Sequence, residues 1–99
     1  MNDYAEHVAS HRRLAVLRHL EASAEYVSNA SILQGVLIGL GLPCTFDQLR
    51  ADLAWLREQA LVRFDPDAEF MVVTATARGT EVARGLAQHP GVQRPRPRV

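Results

Sequence analysis

Ninety-nine residues, 47% hydrophobic and 22% charged, make one folded domain with a single core and exclude a disordered chain. Eleven arginines balance eleven carboxylates. Without Arg94, Arg96 and Arg98, residues 1–93 hold eight arginines against eleven carboxylates, a net −3 that excludes long-range steering toward phosphate.

The N-terminal residues, Met1 to Glu6, lack the basic start and apolar run of a secretion signal. Cys44 is the only cysteine, so no intrachain disulfide is expected and a reducing, cytoplasmic setting fits. The apolar run from Ile32 to Leu42 is shorter than the roughly 20 residues that span a bilayer, so no membrane segment is expected.

A first helix is predicted from about Asp3 to Ala22. Leu14, Leu17 and Leu20, with Val16 beside them, share one broad face at about 100° per residue. Tyr4, Val8, His11 and Ala15 form a second stripe at spacings of four, three and four. Two apolar stripes need two surfaces: either the C-terminal helix of the same chain or a second copy in a homodimer.

Ser28 or Asn29 is placed to cap a second helix, with Ile32, Leu33, Val36, Leu37 and Leu40 as its buried face. Gly41 as a left-handed cap and Pro43 end it, and Leu42-Pro43-Cys44 is the turn. Thr45 then caps a third helix, with Gln48 in capping-box position. Phe46, Leu49, Leu53, Leu56 and Ala60 are its expected inner stripe, while Asp47, Gln48, Ala51, Ala54, Trp55 and Glu58 lie on the other side.

Leu61–Phe64 and Phe70–Thr74 read as two strands of a tight hairpin, because Pro66 presets φ between flanking aspartates. Thr76 caps a fourth helix to about Leu86, with Val82 and Leu86 facing inward and Gly79 and Gly85 marking close packing. Residues 1–88 are therefore expected to form the domain, and 89–99 a flexible Pro/Arg tail.

These parts compose a mainly α fold with a small β-hairpin: a winged helix-turn-helix of three helices, a two-stranded wing and a C-terminal helix. Residues 52–62, Asp-Leu-Ala-Trp-Leu-Arg-Glu-Gln-Ala-Leu-Val, resemble the end of a winged-helix recognition helix entering its wing. Thr76-Ala77-Arg78-Gly79 is similar to the Thr-x-x-Gly that follows the wing in many such regulators. Over roughly residues 10–87 the chain resembles small proteins of Mu-like prophages regarded as regulators of the arsenic-repressor type. The cysteine pair that metal-sensing members carry on the recognition helix has no counterpart here, so metal sensing is not implied.

The resemblance implies that the outer face of the third helix enters a major groove. Gln48 is then placed to bond adenine in bidentate fashion, and Arg50 and Arg57 to reach phosphate or guanine. Arg94, Arg96 and Arg98 would add salt-sensitive phosphate contacts. Asp47 and Glu58 on that face, and Asp65, Asp67 and Glu69 at the hairpin tip, oppose duplex DNA by like charge. Trp55 faces away from the inner stripe, so either a partner or the N-terminal segment covers it. Tyr4, Val8 and Trp55 are the expected partner interface, in a homodimer or in an interaction module that never meets DNA.

His7 and His11 have metal-sharing spacing but no identifiable third ligand, and Asp65 to Glu69 lacks the glycine and distant glutamate of a calcium loop. No metal, cofactor or small-molecule substrate is expected. No nucleophile–base set or phosphate-cradling loop is present, so the chain reads as a non-enzymatic DNA-binding regulator.

Overall fold

A computed structural model describes residues 3–96, which form four helices and a small three-stranded antiparallel sheet. The elements in chain order are α1 (Asp3–Ala22), β1 (Val27–Asn29), α2 (Ala30–Gly39), α3 (Phe46–Glu58), β2 (Val62–Arg63), β3 (Val72–Ala75) and α4 (Ala77–Arg84). None of the described helices is long and apolar enough to cross a membrane.

Local capping chemistry sets three helix starts. Asn29 Oδ1 accepts from the Ile32 N–H at 2.9 Å, and Thr76 Oγ1 accepts from the Gly79 N–H at 3.0 Å. At α3 the capping box is complete. Thr45 Oγ1 accepts from Gln48 N–H at 3.1 Å, while Gln48 Oε1 accepts from Thr45 N–H at 2.9 Å.

One core joins all four helices to the sheet, with Leu17 and Leu20 of α1, Leu33 and Leu37 of α2, and Leu49, Leu53 and Leu56 of α3 almost fully buried. Each such leucine contributes about 1.5–3 kcal/mol over leaving it in water. α1 packs against α4, where Leu17 meets Gly79. A side chain at Gly79 would collide with the Leu61 carbonyl, so glycine here sets how closely α4 seats on the turn after α3.

The third strand is new relative to the sequence reading. β1 pairs with β3 in the register Val27↔Thr74 and Asn29↔Val72, so the sheet runs β1-β3-β2. Val27-Ser28-Asn29 has no alternation to announce a strand; pairing with β3, more than 40 residues away, creates it. The hairpin ladder is correspondingly short, with only Val62↔Ala75 and Arg63↔Thr74 paired.

Other expectations are corrected. Ile32 and Leu40 stand out from α2 at 51% and 61% exposure, because Ala30, Leu33 and Leu37 already fill the arc that faces the core. Phe46 is exposed at the start of α3, and Ala60 lies past its end with φ +61. Leu86 is exposed because α4 stops at Gly85, whose φ of +80 turns the chain away. Residues 89–96 do not leave the body as a free tail: Val92 packs on the core and the Gln93 N–H donates to the Ser10 carbonyl at 3.1 Å.

Candidate nucleic-acid interface

α3 is held between two different surroundings. On one side it meets α1 and the chain after α4. Asp52, 4% exposed in its side chain, accepts from Arg12 Nε at 2.7 Å, and Arg13 Nε approaches its other oxygen at 3.4 Å without hydrogen-bond alignment. Arg13 Nη1 donates to Glu6 Oε1 and to the Gly91 carbonyl, both at 2.9 Å. The Arg13 guanidinium also lies over the Trp55 ring, 4.3 Å from its centroid.

His89 completes this seam. Its ring stands edge-on to Trp55 at 5.6 Å, and its Nε2 lies 3.0 Å from Gln59 Oε1, a bond made when Nε2 carries the proton. Trp55 is thus half-buried by its own chain, by Arg13 from α1 and by His89 and Gly91. These intramolecular contacts cover part of the ring, and the rest stays accessible. The sequence reading allowed for cover by the N-terminal segment but missed the C-terminal one, whose Pro and Arg content suggested solvent.

On the other side α3 borders an open groove. Phe46 and Arg50 of α3, Phe70 and Val72 of the hairpin, and Ala30 at the start of α2 line it. Arg50 and Arg57 are both exposed, Arg57 with its guanidinium 5.6 Å from the Phe64 ring. Gln48 is exposed as well, but its Oε1 is spent on the helix cap, leaving Nε2 as the group free for a base. Bidentate recognition of adenine needs both, so one hydrogen bond is what this geometry allows. The competition was visible in the sequence, since Thr45 and Gln48 have capping-box spacing.

The hairpin turn has the chemistry expected of it. Asp65 Oδ1 accepts from the Asp67 N–H at 3.0 Å, and the Asp65 carbonyl from the Ala68 N–H at 3.2 Å. Asp65, Asp67 and Glu69 are all exposed there.

The tail arginines are gathered elsewhere. Arg94 and Arg96 line a shallow groove with Arg84, where Pro95 rests on Gly85. Arg84 is itself paired with Glu21 at 2.9 Å, a hydrogen bond that raises its pKa further. Arg98 lies outside the described residues. Tyr4 is exposed and Val8 half-buried on α1, Val8 one turn before Arg12.

His7 and His11 stack edge-to-face at 4.7 Å, and among the described residues no three metal-ligating side chains come together. Burial pushes the Cys44 thiol above its ordinary value; Arg12 pulls it back and Asp52 adds to the rise. The thiol therefore stays protonated at neutral pH and is a poor nucleophile.

No family model matches the sequence, and no solved structure matches it. One curated protein does: the uncharacterized protein gp26 of Escherichia phage Mu is 45% identical over 88 residues, which cover 89% of this chain and 91% of that protein. Identity of that level along nearly the whole of both chains makes this protein a member of the Mu gp26 family.

Proposed function

We propose that this protein is a phage-derived winged-helix DNA-binding protein that regulates transcription and catalyses no reaction. In this reading α2, the turn through Pro43 and α3 are the helix-turn-helix, β2 and β3 the wing, and α3 the helix that enters the major groove. The observation that carries it is the pair Arg50 and Arg57, exposed on the flank of α3 toward the hairpin, with Gln48 exposed at the helix start on the other flank, on a helix whose inner face is fixed by buried leucines and the Asp52 ion pairs. Arg50 and Arg57 hold phosphate, and Gln48 offers one hydrogen bond to a base edge.

The test is a gel shift with duplex fragments of the protein's own locus across a salt series. Arg50→Ala and Arg57→Ala are each expected to weaken binding on every sequence and to lower the salt slope by about 1. Absence of retardation at low salt removes the proposal.

A second reading, a protein-interaction module without DNA, is favoured by the acidic hairpin tip and by the apolar surface of α2.

A further inference from the structure

We infer that the groove between α3 and the hairpin is a slot for a single unpaired nucleobase and its phosphate. The inference goes beyond the duplex reading, with which it shares only Arg50.

The slot is built from two elements. Phe46 and Arg50 stand one helical turn apart, so they share an edge of α3. Glu69 and Phe70 come from the hairpin, and Ala30 and Met71, which pack on the core, line the space from within. Its volume is about 760 Å³, inside the range of about 300–1,000 Å³ typical of small-ligand sites. Phe46 is 42% and Phe70 74% exposed, so two aromatic rings border one cavity open to water. Arg50 and Glu69 line the same space, yet among the described residues neither is ion-paired. Opposite charges held apart in one groove each keep a side free for a ligand.

Those four side chains identify the occupant. An apolar side chain or an acyl chain would cover the rings but strip water from Arg50 and Glu69 without replacing it. A duplex hides the faces of its bases in the stack. An unpaired nucleotide carries all three complements in one unit. Its base offers a π-face to the phenylalanines, its phosphate accepts from Arg50, and an exocyclic amine donates to Glu69. Cytosine has that amine at N4, where thymine has a carbonyl oxygen that would face the carboxylate with like polarity.

The acidic tip limits the length of the site. Asp65, Asp67 and Glu69 are exposed and repel a backbone that runs on along the hairpin, so one phosphate is engaged rather than a track of them.

Fluorescence anisotropy of the full chain with short labelled oligodeoxycytidine and oligodeoxythymidine tests this. Binding is expected at low salt, about five-fold tighter for cytosine, with a dissociation constant that rises with salt at a logarithmic slope of about 0.7, the value for one phosphate of a single strand. Phe70→Ser is expected to raise the dissociation constant about ten-fold, equivalent to about 1.4 kcal/mol, with unchanged circular dichroism. Glu69→Ala is expected to erase the preference for cytosine. Leu86→Ser, which removes an equally exposed apolar side chain outside the groove, is expected to change nothing. Deoxycytidine monophosphate as competitor identifies the source: displacement at equal nucleotide concentration assigns the slot to a free nucleotide, and its failure to a strand.

No binding of either oligonucleotide at low salt overturns the inference, as does binding that Phe70→Ser leaves unchanged or that ranks thymine with cytosine. Phe70→Ser is expected to leave the duplex gel shift as it is, so loss of one activity with the other retained shows which reading has failed.

Discussion

The two flanks of α3 solve opposite problems. Toward α1 and the C-terminal segment, every contact is made inside the chain: Asp52 holds Arg12 and Arg13, Trp55 is covered by Arg13 and Gly91, and His89 ties to Gln59. Toward the hairpin, Phe46, Arg50 and Phe70 line an open groove together with Pro66, Ala68 and Glu69 of the acidic tip. The first flank sets where the helix sits; the second is free to meet something else. Substitutions on the two flanks should therefore fall into different classes, and this sorting is what experiments can break.

The largest effect is expected at Asp52. Arg12, Arg13 and Asp52 have side chains about one-tenth exposed or less. Removing the carboxylate leaves two buried guanidinium groups without their shared counter-charge, which costs about 3–5 kcal/mol. Asp52→Ala should lower the urea midpoint accordingly, and Arg12→Ala should cost less because Arg13 remains beside the carboxylate. If Asp52→Ala melts like wild type, the flank is ornamental and the division between the two sides fails.

Next in size is Gly91. Its φ of +92 disfavours any side chain, and a Cβ there would lie 2.6 Å from the Trp55 ring. Gly91→Ala should cost about 1–3 kcal/mol through backbone strain and displacement of the covering segment. Trp55 is the single tryptophan, so its emission reports the change directly: a red shift is expected as water reaches the indole. Unchanged emission would mean that the segment after α4 does not shield the ring in solution.

Which of these features the sequence displays depends on their range. The caps Asn29, Thr45 and Thr76 act over three residues, and each is legible as a residue type at a fixed spacing. The inner stripe Leu49, Leu53 and Leu56 is legible for the same reason, since one helical period reveals it. The Arg12–Asp52 pair joins positions 40 apart and Arg13–Gly91 positions 78 apart, and no local pattern encodes either. α2 differs: apolar residues lie on most of its sides, so the sequence carries little contrast to say which arc is buried, and Ile32 and Leu40, read inward from their spacing, stand exposed. Gln48 shows both signs at once, since its capping role is local and readable while the base contact proposed for it would need an atom already in use.

The smallest effect is expected on the open flank, and it sharpens the comparison most. Phe70 is 74% exposed, lies outside the paired strand residues and lines the groove opposite Arg50. Little of its surface is removed from water on folding, so Phe70→Ser forfeits little transfer free energy and should change stability by less than about 0.5 kcal/mol. A matched pair of urea titrations, Phe70→Ser beside Asp52→Ala, measures the contrast within one protein. A loss above about 1 kcal/mol for Phe70→Ser would show that the hairpin wall is part of the core in solution. A neutral result leaves an aromatic side chain standing in water that contributes nothing to folding, and its retention then has to be sought in what the groove contacts.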